Sequence, residues 1–167
     1  MSRFTRATLL LLAAITLASG NAHSYVFGVT LDPLTPNGPA IGAQLDWVIT
    51  HVELGSTPLE LAARADLSAP LSFDLYPNVG AGLTVRLPYD AATPYLGTGA
   101  GLWWSRLDDV PCWDLTWTLH AGVDVPLSAA WSARIEAQAA PLIAAYRVGV
   151  GVTFTIGTVD DNDTSER

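Results

Sequence analysis

The sequence predicts an all-β fold, an eight-stranded antiparallel up-and-down transmembrane β-barrel. Three observations carry that prediction. Eight segments alternate large apolar residues with small or polar ones at strict period two, as strands do when their two faces meet different surroundings. Asp46, Glu60, Arg64, Asp66, Arg86, Asp124, Arg134, Glu136 and Arg147 all fall on the face opposite the large apolar side chains of their segments. The chain is 50% hydrophobic, yet past its first residues it offers no run of about 18 apolar residues to make a spanning helix.

Residues 1–24 are expected to be a signal peptide. Arg3 and Arg6 form a positive n-region, Thr8 to Ala18 an apolar h-region, and Ala22-His23-Ser24 supplies the small residues of a cleavage site. No cysteine follows the h-region to take a lipid at a new N-terminus. The barrel is then expected over residues 25–157, and residues 158–167 read as a disordered acidic tail.

The strands follow in order. YVFGVTLD (Tyr25 to Asp32) sets Tyr25, Phe27, Val29 and Leu31 against Val26, Gly28, Thr30 and Asp32. AIGAQLDWVIT (Ala40 to Thr50) puts Asp46 opposite Leu45 and Trp47, and LELAARADL (Leu59 to Leu67) puts Glu60, Arg64 and Asp66 opposite its leucines. VGAGLTVRL (Val79 to Leu87) carries Arg86 with two glycines on its polar face. PYLGTGAGLWWSR (Pro94 to Arg106) alternates Gly97, Gly99 and Gly101 with Leu96, Thr98, Ala100 and Leu102. A dinucleotide fingerprint spaces its glycines G-x-G-x-x-G and opens a helix; here the spacing is strict period two and two tryptophans follow, so the stretch reads as a fifth strand. DLTWTLHAGVDV (Asp114 to Val125) carries His120 and Asp124, AWSARIEAQ (Ala130 to Gln138) Arg134 and Glu136, and YRVGVGVTFTI (Tyr146 to Ile156) Arg147. Turn residues cluster between them, as in DPLTPNGP, GSTP and PYDAATP. LSFDLY (Leu71 to Tyr76) also alternates and extends either the third or the fourth strand.

Two arrangements fit such alternation. A soluble exported barrel that binds an apolar ligand, as lipocalins do, would turn the apolar face inward. Its outer surface would then be rich in glycine and free of lysine, a poor composition for solvated strands. The inverse places the apolar face against lipid and glycine, arginine and carboxylate in the lumen. On this reading Asp46, Glu60, Arg64, Asp66, Arg86, His120, Asp124, Arg134, Glu136 and Arg147 form a lumenal polar network. An eight-stranded interior is only just filled by side chains, so that network reads as a plug and not as the lining of a large pore. Tyr25, Trp47, Trp131 and Phe154 would form an aromatic girdle at the periplasmic strand ends, and Trp104, Trp113, Trp117 and Tyr146 one at the outer ends.

The segments PYLGTGAGLWWS, HAGVDVPLSAAWSARIEAQ and YRVGVGVTFTI resemble small eight-stranded outer-membrane barrels of bacteria, the OmpA-like, OmpX-like and OmpW-like proteins. Gly151 to Ile156 is similar to the C-terminal insertion signal of that family, departing from it by ending on isoleucine and carrying a tail. The resemblance implies a bacterial outer-membrane location and a structural, envelope or surface-interaction role. It implies outer-membrane lipid and lipopolysaccharide as surroundings, the barrel assembly machinery as a partner, and a monomer.

Several function classes recede on composition. Without the two leader arginines, six of the eight basic residues remain against sixteen acids, a net charge near −10 that argues against nucleic acid as a partner. Cys112 is the lone cysteine and forms no intrachain disulfide. Asp108-Asp109 reads as a solvated turn, and no Asp-x-Asp-x-Asp-Gly loop exists for a cation. Barrels that modify lipid A need a hydrolytic constellation; His120 lies four residues from Asp124 on one strand, but no local motif supplies a nucleophile with a base and an orienting group. The chain is therefore read as a non-enzyme without catalytic residues, cofactor or metal, a lipid-A-modifying barrel being the least favoured alternative.

Overall fold

The computed structural model describes residues 24–35, 38–71, 77–107 and 110–157. They form eight strands: β1 (Ser24–Leu34), β2 (Ala40–Leu54), β3 (Thr57–Pro70), β4 (Asn78–Arg86), β5 (Thr93–Leu107), β6 (Val110–Pro126), β7 (Trp131–Ala140) and β8 (Ala145–Gly157). Each pairs antiparallel with the next in chain order, and β1 closes on β8 from Ser24↔Gly157 to Leu34↔Val148. The result is an all-β, closed up-and-down barrel in which every strand has two partners. Residues 1–23 of the signal peptide expected over 1–24, most of LSFDLY, Asp108-Asp109 and the tail 158–167 lie outside the described residues.

Closure turns the polar face inward. Arg64 and Arg134 are each 1% exposed and Asp46 0%, whereas Leu115 is 75%, Leu96 62% and Leu31 56% exposed. That is the reverse of a water-soluble domain, in which charged side chains are almost never fully buried. An apolar ligand cavity of the lipocalin kind has no room here, because the interior is occupied by arginines, carboxylates, threonines and glutamines.

Local chemistry explains the connections. Gly55 takes φ +67° at the first position of the two-residue turn between β2 and β3, where a hairpin needs positive φ. A short 3₁₀ turn, Pro141–Ile143, joins β7 to β8, and the Ala144 N–H that follows donates to the Pro141 carbonyl at 3.3 Å. The Ser128 hydroxyl accepts from the Trp131 N–H at 3.1 Å and closes the turn between β6 and β7.

Strand 2 is longer than the expected Ala40 to Thr50, and its alternation breaks. The register with β3 shifts between Val48 and Thr50, so that Val48 faces Ala62 but Thr50 faces Leu61. One extra residue on one strand of a pair is a β-bulge, and every side chain beyond it changes face. His51 consequently pairs with Glu60 on the lumenal side, although simple parity from Trp47 places it outside.

Candidate functional site

The lumen brings the charged residues of strands far apart in sequence into one connected network. Arg64 on β3 reaches across to β7, its Nη2 donating to Glu136 Oε1 at 2.7 Å and Oε2 at 2.6 Å. Arg134 on β7 grips Asp124 on β6 as a fork: Nε donates to Oδ1 at 2.7 Å and Nη2 to Oδ2 at 2.8 Å. Two parallel charge-assisted bonds of this kind hold geometry as well as charge. The same Nη2 donates to Asp46 Oδ2 on β2 at 3.1 Å.

Two further arginines extend the network to both ends. Arg86 on β4 donates through Nη2 to Asp124 Oδ2 at 3.2 Å and has Glu60 Oε2 at 3.4 Å from its Nε. The Glu60 contact is an ion pair without hydrogen-bond geometry, since Arg86 Nε has no hydrogen-bond partner. Arg147 on β8 donates to Asp66 Oδ1 at 3.2 Å and lies 3.6 Å from both Glu136 Oε1 and Asp32 Oδ2. Asp46 is the hub, approached by Arg134 at 3.1 Å, Arg86 at 3.7 Å and Arg64 at 4.0 Å.

All ten residues singled out in the sequence as lumenal are thus placed, but not all share the ionic network. His120 stands apart from Asp124 and meets Thr84 instead, with 2.8 Å between Thr84 Oγ1 and His120 Nε2. Both Asp124 oxygens are held by arginines, and among the described residues His120 is hydrogen-bonded to Thr84 and to no carboxylate. Among the described residues no group of three or more His, Cys, Asp or Glu is arranged to hold a metal ion.

Among the described residues Asp32 and Tyr95 join the network from outside that set of ten. Asp32, 2% exposed, is the β1 partner of Arg147. Tyr95 donates its hydroxyl to Glu136 Oε2 at 2.8 Å, and the Arg134 guanidinium carbon sits 4.8 Å from its ring centroid. Both occupy lumenal positions of their strands' alternation, and that parity is the signal that finds them.

Glycines make the room. In the strand registers Gly82 faces Arg64, Gly80 faces Asp66, Gly97 faces His120 and Gly151 faces Arg134. A Cβ at Gly97 would strike the His120 ring, and one at Gly122 the Tyr95 hydroxyl. Arg64, Asp66, His120 and Arg134 therefore each lie beside a neighbour with no side chain. The G-x-G-x-G run of β5 is one wall of this arrangement.

The aromatics are less uniform. Trp113, Trp117, Trp131 and Tyr146 are 39%, 42%, 49% and 54% exposed on the outer wall. Phe154 is half-buried with its ring 4.9 Å from that of Trp131, and Tyr25 is half-buried. Trp47 is only 8% exposed. The side chain of Trp104 lies outside the described residues.

With eight antiparallel strands, a charged interior and an apolar exterior in view, the comparison with solved structures falls into place. The N-terminal β-barrel domain of OprF from Pseudomonas aeruginosa superimposes with a TM-score of 0.60 at 10% identity, over 81% of this chain and 98% of that one. The chain has the fold of a small eight-stranded outer-membrane barrel. Neisserial surface protein A aligns with a TM-score of 0.43 at 10% identity, over 78% of this chain and 94% of that one. No family model and no curated protein matches the sequence.

Proposed function

We propose that this chain is a small bacterial outer-membrane β-barrel protein with a structural, envelope or surface-interaction role, its lumen plugged by an ionic network and closed to large solutes. The observation that carries the reading is the inversion of polarity: an apolar wall around buried arginines and carboxylates. Such a wall is stable against hydrocarbon, and a closed barrel leaves no strand edge unpaired there. Inside, Arg64–Glu136, Arg134–Asp46 and Arg147–Asp66 join strands on different sides of the lumen and occupy its cross-section.

Export by the signal peptide, folding by the barrel assembly machinery, contact with lipopolysaccharide and a monomeric state complete the proposal. No enzymatic step is assigned, because among the described residues the His120–Thr84 pair has no carboxylate bonded to the imidazole. Envelope fractionation of cells expressing the full chain tests the reading. The protein should stay with detergent-insoluble outer membrane and migrate differently on a gel with and without boiling. A freely soluble periplasmic monomer would overturn it.

A further inference from the structure

The β2–β3 hairpin runs past its pairing with both neighbouring strands among the described residues. The β1 pairing described begins at Ser24↔Val48, and β4 pairs with β3 no further than Glu60↔Arg86. Beyond those rungs Val52–Leu54 and Thr57–Leu59 pair only with each other among the described residues. The ribbon stands on the side of the barrel where β1 begins and β8 ends.

The bulge decides what this ribbon displays. Directly opposed residues of an antiparallel pair share a face. His51↔Glu60 lies on the lumenal side, where Glu60 contacts Arg86. Alternation then sends Val52↔Leu59 and Leu54 to the outer side, in line with Leu61, and Glu53↔Pro58 to the inner side. Val52 is 49% and Leu54 71% exposed. Without the extra residue, His51 and Glu53 would occupy the outer side and Val52 and Leu54 the inner one. The apolar outer wall therefore continues without a break onto a ribbon that has left the barrel.

Its reach suits one occupant. Three rungs and the turn, at about 3.3 Å per residue on strands tilted roughly 35–45°, extend about 8–10 Å along the barrel axis. A bilayer of about 40–45 Å overall with a hydrocarbon core of about 30 Å leaves some 5–8 Å of headgroup layer on each side. We infer that the β2–β3 ribbon is a membrane-surface contact whose Val52, Leu54 and Leu59 side chains lie in the lipid headgroup layer of the leaflet on the terminal side, while His51 and Glu53 face water. This rests on the outer-membrane reading above. It gives the bulge a function, since the bulge is what makes the ribbon's outer face apolar.

Site-directed spin labelling tests it. Single nitroxides are placed at Val52→Cys, Glu53→Cys, Leu54→Cys and, in the middle of the wall, Val150→Cys, all in a Cys112→Ser background refolded into phosphatidylethanolamine/phosphatidylglycerol vesicles. Labels at 52 and 54 should collide several-fold more with oxygen than with a water-soluble nickel chelate, and the label at 53 should show the reverse. Equal, water-like accessibility at 52, 53 and 54 overturns the inference. So do labels at 52 and 54 that are immobilised and shielded from both reagents, which would mean a protein partner. A nickel-accessible label at 150 would instead defeat the outer-membrane reading itself, so the two failures are distinguishable.

Discussion

Arg64 and Glu136 are 72 positions apart in the chain and 2.6 Å apart in the lumen. They sit on β3 and β7, strands with three others between them in either direction around the barrel. Neither is more than 3% exposed. Their contact is a strut across the barrel, and its removal should be felt as stability.

Glu136→Ala leaves the Arg64 guanidinium buried without its nearest carboxylate and removes the acceptor of the Tyr95 hydroxyl. Breaking one side of a buried pair costs about 3–5 kcal/mol. Urea unfolding in lipid vesicles should show that loss. The double variant Arg64→Ala/Glu136→Ala should lose less than the sum of the single variants, since each single change strands a charge. Additive losses would mean the pair is not coupled.

Arg134→Ala should be at least as costly, because its guanidinium holds Asp124 with two bonds, Asp46 with a third and the face of Tyr95. A loss of about 3–5 kcal/mol is expected. The matching readout is a lower temperature for conversion of the folded gel band to the unfolded one. An unchanged conversion temperature would contradict lumenal burial.

Tyr95→Phe isolates one bond. It keeps the ring under Arg134 and deletes the hydroxyl that donates to Glu136 at 2.8 Å. Hydrogen bonds to a charged group contribute about 1.5–3 kcal/mol, so the variant should lose an amount in that range. Tyr95→Leu should lose more, because the cation–π contact goes as well. Chemical denaturation of the two variants side by side checks the order.

Glycine substitutions should separate by what the new methyl meets. At Gly82 a Cβ would lie 2.8 Å from Gly99 Cα and closer still to the Thr98 carbonyl, so backbone must move. Overpacking of this kind costs about 1–3 kcal/mol. At Gly80 it would meet Asp66 Oδ2 at 2.5 Å, the end of a flexible side chain that can swing aside. Gly82→Ala should therefore destabilise more than Gly80→Ala in the same denaturation assay.

The outer wall offers a direct probe of its solvent. Val150 is half exposed in the middle of β8. Val150→Arg should cost about 2–4 kcal/mol in lipid vesicles, as arginine does near a bilayer midplane. On a water-facing strand the same change would usually stay within about 0.5 kcal/mol. Unfolding free energies of the two proteins in the same vesicles decide between these outcomes.

Much of this fold is legible in the chain because strand periodicity is a local property. Leu96, Thr98, Ala100 and Leu102 must face one way and Gly97, Gly99 and Gly101 the other, whatever the partners. The same parity assigns Arg64, Arg134 and Glu136 to the lumen before any contact is known. It carries Asp32 and Tyr95 there too, although neither stands out as part of a charge cluster in its own segment. Parity fails at Val48–Thr50, where no residue type announces the bulge and pairing with β3 alone reveals it.

The alternation of side chains thus settles, residue by residue, which face is apolar and which is charged, because successive Cβ atoms on an extended backbone point in opposite directions. It cannot say which arginine meets which carboxylate. That depends on the register of eight strands around a closed ring. Closure brings Arg134 within 3.1 Å of Asp46, 88 positions away, leaves His120 to Thr84 and not to Asp124, and gathers three guanidiniums around Asp46. A charge reaches only the partners that folding brings within a few ångströms, and in this protein some lie on the next strand, as Asp124 does for Arg134, and others across the barrel, as Glu136 does for Arg64.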